Sequence, residues 1–335
     1  MEKIDFVITW VDGSDEKWLA KKKRYKDRKN ADSLAGRISE DGGNTRYRDW
    51  GLLPFVFRGI EKCAPWVNRV YLVTDEQVPS WLNTECPKLE LVDHKDFIPM
   101  EYLPTFSANV IELNLHRIKG LSEQFVFFND DFFLFNPCGE EDFFKKGMPC
   151  DEGTLNGING KDEIFAGILF QDISLMNRHY SIRDVKKHLS KWLNLKYGKN
   201  VVRTLLLLPF QRLQGIYNHH GPISLKKSTY EKVWKRDSGI LAETCTRKFR
   251  TGQDVSGYIF RYEQLLSGEF IPRKSLNHYL EVTSPIEEIE KAMKKAKMAC
   301  INDTETDDVF FERRKEELHK MFLKKFPRKS MFEKS

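Results

Sequence analysis

One run of eleven residues constrains this chain most, because it places two adjacent carboxylates between aromatic side chains. Residues 125–135 read FVFFNDDFFLF, so Asp130 and Asp131 interrupt a continuous apolar stretch. Burying two charges in such surroundings is costly unless a cation or a firm hydrogen-bond network compensates them. A divalent metal ion is the simplest compensation. The alternative interpretation is a polar turn that ends a core strand.

The position of this pair fits a ligand site in an open α/β sheet. Residues 125–128 predict a buried strand, which puts Asn129, Asp130 and Asp131 at its carboxyl end. Open α/β sheets bind their ligands outside that edge. The arrangement therefore suits a nucleotide diphosphate held through a metal ion.

Composition limits the classes of protein to which the chain can belong. Its 335 residues can bury a large core, and an aromatic content of 13% argues against disorder. The net charge of +6 permits an anionic substrate or a membrane surface, and no nucleic-acid-binding module is apparent. The longest aliphatic run, residues 205–208, is too short to span a bilayer, so we expect membrane contact to be peripheral at most.

The cysteines indicate a reducing compartment. They are scattered, without a CxxC pair, which favours free thiols over a disulfide framework or a structural zinc site. The start of the chain also lacks the basic and apolar regions of a secretory signal. We expect a cytoplasmic protein, with the inner face of the plasma membrane as a further option. The six residues are Cys63, Cys86, Cys138, Cys150, Cys245 and Cys300.

Apolar patterns predict alternating strands and helices in the first half of the chain. Residues 4–9, 69–74 and 89–92 predict strands, whereas residues 49–63 and 109–121 have helical spacing. Strands that alternate with helices favour a mostly parallel sheet. The predicted fold class is therefore α/β.

The pattern changes after residue 137, which predicts a second structural unit. Residues 147–167 are rich in glycine, and helical segments follow near residues 184–197 and 230–235. The division predicted from this change is an α/β core over residues 1–145 and 271–335, and a mainly helical subdomain over residues 146–270.

Four further segments carry local predictions. Residues 12–15 predict a tight turn that opens a basic helix and is suited to a nucleotide, and residues 31–44 predict a mobile loop. Residues 285–299 have the spacing of an amphipathic helix, and residues 300–304 predict a turn before the last helix. Taken alone, Asn302 and Asp303 in that turn are better explained by capping of the helix that begins near Asp307 than by ligand binding.

Two loops contain groups suited to phosphate chemistry. His219 and His220 precede Gly221 and Pro222, and an imidazole can act as a base or a phosphate ligand near neutral pH. A lone histidine in a loop is, however, more often structural or simply exposed. Thirty positions later Arg250 offers a guanidinium suited to phosphate, although a surface ion pair with the nearby Asp254 is the alternative.

Four blocks in order resemble the Stealth family of sugar-phosphate transferases, which includes bacterial capsule polymerases and the catalytic subunit of GlcNAc-1-phosphotransferase. The first is IDFVITWVDGSDEKW, and the second extends from RYRDWGLLPF to VFFNDD and on to Phe135. The third contains NHHGPISLKKSTYEKVW and FRTGQDVSGYIF, and the fourth contains ACINDT and FPRKSMFEKS. Together the blocks cover most of the chain.

The resemblance implies site residues by position in these blocks. It implies Asp131, His220 and Arg250 as catalytic residues, with His219 a rival to His220. The remaining assignments are Asp12, Arg48 and Asn302 for the nucleotide-sugar, and Asp130, Asp131 and Asp303 for a metal ion, Mg²⁺ or Mn²⁺. Asp12 stands where asparagine is common in the family, which leaves the role of its side chain open.

The resemblance also implies a fold and an activity. It implies a Rossmann-like core of the GT-A type found in sugar-nucleotide transferases. The implied enzyme moves a hexose 1-phosphate from a UDP-sugar, such as UDP-GlcNAc, to a hydroxyl of a saccharide or polysaccharide acceptor, free or lipid-linked. It releases UMP in capsule or surface polysaccharide synthesis. The alternatives are a metal-dependent glycosyltransferase that releases UDP and a non-catalytic assembly factor that binds sugar nucleotides.

Overall fold

The structure is a computed structural model that describes residues 2–32, 48–160 and 162–335. Its strands are β1 (Ile4–Thr9), β2 (Val70–Thr74), β3 (Leu89–Asp93), β4 (Gln124–Asn129), β5 (Phe132–Leu134), β6 (Phe144–Lys145), β7 (Met148–Asp151), β8 (Ile223–Lys226), β9 (Ile271–Pro272), β10 (Asn277–Glu281) and β11 (Met298–Asn302). Its helices are α1 (Glu16–Asp32), α2 (Leu53–Cys63), α3 (Ala108–Asn114), α4 (Glu163–Met176), α5 (Ile182–Lys187), α6 (Leu189–Trp192), α7 (Asn200–Leu207), α8 (Lys227–Thr246), α9 (Tyr258–Leu266), α10 (Ile286–Lys295) and α11 (Asp308–Lys325).

The central sheet has the strand order β3-β2-β1-β4-β8. The first four strands run parallel, and β8 pairs antiparallel with β4. The predicted α/β fold with a mostly parallel sheet is therefore confirmed. β1, β2 and β4 are buried along almost their whole length, as expected for strands that are covered on both faces.

Side chains of these strands alternate between two cores on opposite faces of the sheet. Phe6 and Phe128 belong to one core, which includes residues of α2, α10 and α11. Val7 and Phe127 belong to the other core, which includes residues of α3, α8 and α9. Because a shift of one residue would exchange the two faces, this double burial fixes the register of the sheet.

β1, β2 and β4 end at the same edge of the sheet. Thr9 lies opposite Val73 of β2 and Asn129 of β4 in the parallel ladders. Asp130 and Asp131 form the turn that follows β4, as predicted. The chain then enters a second sheet of order β10-β11-β5, in which β5 runs antiparallel to β11.

The second sheet corrects two predictions. Residues 300–304 were predicted to form a turn, yet Met298–Asn302 is strand β11, paired with β10 and β5. The helix predicted over residues 285–299 ends at Lys295. The first four residues of β11 are all buried, which suits a strand between two neighbours rather than the exposed end of an amphipathic helix. Local sequence does not reveal this pairing, because β5 lies far away along the chain.

Two predicted helices are shorter than expected. α2 begins at Leu53 rather than residue 49, with Pro54 in its first turn, where a missing N–H costs no helical hydrogen bond. α3 ends at Asn114 and continues as a short 3₁₀ turn, Leu115–Arg117. Both helices still present the predicted apolar residues to the core.

Residues 146–270 contain the helices α4 to α9 together with β7 and β8. Since β8 completes the central sheet, main-chain hydrogen bonds join this segment to the core. The division into a core and a helical subdomain stays a prediction.

The loop predicted over residues 31–44 lies outside the described residues except for its first two positions, which belong to α1. Across the described ranges, no helix combines the length and apolarity that a membrane crossing requires.

All six cysteines are buried as free thiols. We expect six thiols to react with a chromogenic disulfide reagent in denaturant, and very few in the native protein because burial restricts access. A reducing agent should leave the melting temperature unchanged. Fewer than six thiols in freshly denatured protein would contradict both the structure and the predicted reducing compartment.

Candidate active site

A cavity of about 830 Å³ opens at the carboxyl edge of the central sheet. Its walls come from the ends of β1, β4 and β11, and from the loops that carry His220 and Arg250. Cavities of this size accommodate small organic ligands and cofactors. The tertiary structure thus brings most of the predicted site residues to the lining of one cavity: Asp130, Asp131, His220, Arg250, Arg48, Asn302 and Asp303.

The two adjacent carboxylates occupy the floor of this cavity in different ways. Asp130 is exposed to the cavity, and its pKa is raised to about 7 because the surrounding protein displaces water and because Asp131 is close. Burial likewise raises the pKa of Asp131, while nearby His220 opposes that shift. Asp131 Oδ1 is buried and accepts no hydrogen bond from the described residues. The pair is therefore electrostatically strained as it stands.

Asp131, His220 and Cys300 converge on one point. One ligand atom from each, a carboxylate oxygen, a ring nitrogen and Sγ, lie within 4.8 Å of one another. The Cys300 thiol donates a hydrogen bond to Asp131 Oδ2 at 3.2 Å. Burial and the adjacent carboxylate raise the pKa of Cys300 well above its ordinary value, so the sulfur is protonated and acts as a donor.

The backbone at His220 is held in an unusual conformation. Its φ is +39°, in the left-handed region that non-glycine residues rarely adopt. Asn277 Nδ2 donates to the His220 carbonyl at 2.5 Å, and the rings of Phe132 and Tyr279 contact the imidazole edge-on. These contacts fix the ring in the cavity wall. Strain of this kind concentrates at functional sites.

The structure separates the two neighbouring histidines. His219 Nε2 lies 3.4 Å from Asp151 Oδ1, away from the cavity lining, and Asp151 is held by the buried Arg261. Burial lowers the pKa of His219. Geometry therefore places His220, and not its rival, beside Asp131.

Arg250 lies on another wall of the cavity. Its guanidinium carbon is 5.6 Å from the centre of the Phe165 ring. Asp254, the alternative partner suggested by the sequence, forms an ion pair with Arg247 at 3.2 Å and accepts hydrogen bonds from Thr251. The positive charge of Arg250 thus faces the same space as the carboxylate pair.

Arg48 and Asp303 form a tight pair at the cavity rim. Arg48 Nη2 and Nε donate to the two carboxylate oxygens of Asp303 at 2.9 and 3.2 Å. The guanidinium also packs over the rings of Trp50 and Phe311. Asn302 donates its side-chain N–H to the Asp303 carbonyl at 2.8 Å. Each Asp303 oxygen thus already accepts a hydrogen bond from Arg48, so a metal ion bound there would share the carboxylate with the guanidinium.

Asp12 does not line the main cavity. Its Oδ1 accepts hydrogen bonds from the backbone N–H and the hydroxyl of Ser14, which closes the predicted turn before α1. Gly13 and Ser14 border a second cavity of about 450 Å³, which shares Arg48 with the first. A direct role of the Asp12 side chain in the main cavity is therefore not supported by its position.

Two segments of the chain match known conserved regions. Residues 2–30 match Stealth protein CR1, conserved region 1, and residues 46–151 match Stealth protein CR2, conserved region 2. The capsular polysaccharide phosphotransferase WcwK of Streptococcus pneumoniae is 39% identical over 340 residues, covering 100% of this chain and 99% of that protein. The chain belongs to the Stealth family.

Other relatives of this Stealth protein have similar names. The exopolysaccharide phosphotransferase cps2G of Lactiplantibacillus plantarum is 38% identical over 99% of this chain and 96% of its own. The receptor polysaccharide phosphotransferase WefC of Streptococcus oralis is 40% identical over 90% and 91%, respectively. The predicted family and the predicted class of enzyme, a sugar-phosphate transferase, are confirmed.

Among solved structures, a galactosyltransferase LgtC in complex with donor and acceptor sugar analogs aligns with a TM-score of 0.39 at 11% identity, covering 94% of this chain and 95% of that one.

Sequence reasoning missed two buried acids near Arg250 in this Stealth protein. Glu112 on α3 lines the cavity, and burial raises its pKa to about 7 against the opposing effect of Arg250. Burial raises the pKa of Asp172 on α4 to about 8, although Ser256 donates to it twice, at 2.7 and 2.6 Å. A lone glutamate inside the apolar pattern of α3 was the available signal for Glu112. The sequence around Asp172 contains no signal that distinguishes it from an exposed acidic residue.

Proposed function

We propose that this enzyme transfers a hexose 1-phosphate from a UDP-sugar, such as UDP-GlcNAc, to a saccharide hydroxyl in capsule or surface polysaccharide synthesis. Membership of the Stealth family supports the reaction class. The observation that carries the proposal is the convergence of Asp131 and His220 in a cavity that Arg250 also lines. A carboxylate, an imidazole and a guanidinium around one space suit the transfer of an anionic phosphoryl group.

The proposed reaction is a displacement at the β-phosphorus of the donor. The acceptor hydroxyl oxygen forms a bond to that phosphorus, and the bond from phosphorus to the oxygen that bridges to the α-phosphate breaks. UMP leaves with the bridging oxygen, and the sugar stays attached to the transferred phosphate. The product is a phosphodiester between two sugars, and the hydroxyl proton passes to a base on the enzyme.

His220 is the base in this proposal. Asp131 already accepts a hydrogen bond from the Cys300 thiol on one oxygen, whereas His220 is anchored through its backbone and has its ring beside the carboxylate. When His220 takes the proton, the negative charge of Asp131 stabilises the imidazolium. Arg250 offsets charge that develops on the phosphoryl oxygens. Positioning of the two substrates contributes much of the remaining acceleration.

The carboxylate pair fits a hard divalent cation, Mg²⁺ or Mn²⁺. Asp131 Oδ1 is buried and has no donor within the part of the chain that the structure describes, and the neighbouring Asp130 faces the cavity. Carboxylate oxygens are the ligands that these ions prefer, whereas the protonated Cys300 sulfur is not. Asp130 and Asp131 are thus the proposed ligands, and Asp303 is assigned to orient Arg48. When bound, the cation neutralises charge on the donor diphosphate.

The nucleotide half of the donor is assigned to the cavity rim near Arg48 and Asn302. Arg48 is fixed by Asp303, by oxygens of Thr304 and Thr306 and by two aromatic rings, so its positive charge is held at the cavity lining with little loss of side-chain entropy. The turn at Gly13 and Ser14 borders the adjoining cavity. A uridine diphosphate can therefore extend from this rim toward the carboxylate pair.

A donor labelled with ³²P at its β-phosphate tests the bond that is broken. We expect the label in the saccharide product and one UMP released per transfer, because attack at phosphorus carries the β-phosphate with the sugar. The alternative metal-dependent glycosyltransferase attacks the anomeric carbon and leaves both phosphates on UDP. Unlabelled product together with UDP would refute the proposal.

Two controls complete this assay. The Asp131→Asn enzyme should give neither labelled product nor UMP above background, which excludes a contaminating transferase. The non-catalytic assembly factor considered above predicts donor binding without turnover for the wild-type chain. Stoichiometric binding of UDP-GlcNAc with no product from any saccharide acceptor, free or lipid-linked, would support that alternative.

A further inference from the structure

The surface around α7 concentrates exposed apolar side chains. Fourteen large hydrophobic residues are exposed in the described part of the chain, and six of them lie between positions 189 and 210. Leu195 and Leu206 are the most exposed of the six, at 90% and 69%. Contiguous exposed apolar surface commonly marks a site of interaction. The six residues are Leu189, Leu195, Val202, Leu205, Leu206 and Phe210.

α7 meets the protein through Thr204 and through Leu207 and the adjoining Leu208, which are partly buried against the core. Thr204 is fully buried, and its hydroxyl accepts a hydrogen bond from the Leu155 backbone N–H at 3.1 Å. Val202, Leu205 and Leu206, spaced i, i+3 and i+4, share the outward face. A helix of a globular protein normally buries its apolar face. α7 buries only part of its apolar surface, so the aliphatic face formed by Val202, Leu205 and Leu206 is available to a partner.

The charge of this region indicates the chemistry of that partner. Residues 185–212 contain seven Lys or Arg residues and no Asp or Glu. The whole chain has 55 basic and 49 acidic residues. Outside this segment, 48 basic and 49 acidic residues remain, which almost balance. The entire positive excess therefore resides here. Lys186, Lys199 and Arg203 are among its exposed basic residues.

We propose that α7 and its flanking residues, 186–212, dock on an anionic phospholipid bilayer. The aliphatic face enters the boundary between headgroups and acyl chains, and the basic side chains contact lipid phosphates. A second copy of this chain fits less well, because a two-fold interface would bring the two basic segments together. The docking itself does not depend on the proposed reaction. If that reaction holds, docking also brings the enzyme to lipid-linked acceptors.

The surface is connected to the cavity through one short segment. Leu155, which donates to α7, leads along the chain to Asp162 and Phe165 in the cavity wall. The residue that anchors α7 is therefore seven positions along the chain from a residue that lines the cavity.

Co-sedimentation of the full chain with sucrose-loaded vesicles tests the proposal without any donor or acceptor. We expect binding to vesicles of phosphatidylcholine with 30% phosphatidylglycerol, little binding to pure phosphatidylcholine, and loss of binding at high salt. Two variants address the two components of the surface. Leu205→Gln with Leu206→Gln, and Lys186→Gln with Lys199→Gln, should each lower the partition coefficient about tenfold or more.

Matched controls change equivalent residues elsewhere. Val309→Gln with Leu323→Gln removes two exposed aliphatic side chains from α11, and Lys291→Gln with Lys295→Gln removes two exposed charges from α10. Both controls should bind like the wild type. Because the altered side chains are exposed, all four variants should keep the wild-type melting temperature.

Three results would overturn the docking surface. The first is that the wild type shows no preference for anionic vesicles, and the second is that the α7 variants bind as well as their controls. The third is that the wild type does not bind vesicles and is a dimer by light scattering, whereas the Leu205→Gln, Leu206→Gln variant is a monomer. None of these results bears on which phosphate bond is broken, so failure here is distinguishable from failure of the proposed function.

Discussion

Replacing either carboxylate of the pair by its amide, Asp130→Asn or Asp131→Asn, is expected to lower turnover at least about a thousandfold while the protein stays folded. Each change removes a negative charge from a site where two carboxylates already repel each other, so packing does not need to change. Loss of a charge that serves a metal ion and a transition state removes several kcal/mol of stabilisation, which corresponds to about this factor. Steady-state kinetics and circular dichroism on the same preparations measure both parts.

The same experiment separates catalysis from stability. The melting temperature of both variants should equal or exceed that of the wild type, because an amide carries no buried charge. Asp308→Asn, at an exposed position on α11, is the matched control and should retain full activity. EDTA should abolish wild-type turnover, and Mg²⁺ or Mn²⁺ should restore it. Full activity of Asp131→Asn, or indifference to the chelator, would remove the metal-linked interpretation.

The second large effect is expected at Arg250 and His220. Arg250→Lys keeps the charge but loses the planar pair of donors, so turnover should fall about a hundredfold while the KM for the donor changes little. His220→Ala should lower turnover by about two to four orders of magnitude, because no other imidazole lines the cavity next to Asp131 among the described residues. Such a split between turnover and KM identifies interactions made in the transition state.

Neighbouring residues provide the controls for this series. Arg247→Lys changes an arginine that pairs with Asp254 and Glu243 outside the cavity lining, and it should leave turnover near the wild-type rate. His278→Ala removes an exposed histidine and should do the same. A near-native rate for Arg250→Lys would reassign Arg250 to structure. A large rise in KM without loss of turnover would reassign it to ground-state binding of the donor.

The structure also explains why the family match alone leaves residue roles open. Arg48 lies in the segment that matches conserved region 2 and Asp303 lies in the fourth block that resembles the family, yet they bind each other through two hydrogen bonds. A block can thus contain a residue because it orients another residue. His219 illustrates the same point, since it stands next to His220 in the chain but serves a buried cluster with Asp151 and Arg261.

Part of this architecture follows from local sequence, for a simple physical reason. Strands buried on both faces consist of continuous apolar runs, so β1, β2 and β4 are visible without knowledge of their neighbours. A parallel sheet then places the end of β4 at a ligand-binding edge. The carboxylate pair at that edge was predictable because two charges beside buried aromatic residues require compensation.

The remaining features depend on contacts between distant parts of the chain. β11 was mistaken for a helix end and a turn because its pairing with β5 is not encoded in neighbouring residues. Glu112 looks like an exposed residue of α3 until the fold places it against Arg250. The outward aliphatic face of α7 has the same spacing as a buried helix face, and the tertiary packing of Thr204, Leu207 and Leu208 determines which side meets the protein. Sequence therefore determined the strands and the chemistry at the edge of the sheet, whereas tertiary structure decided the partners of each charge, because solvent exposure and distance are properties of the folded chain.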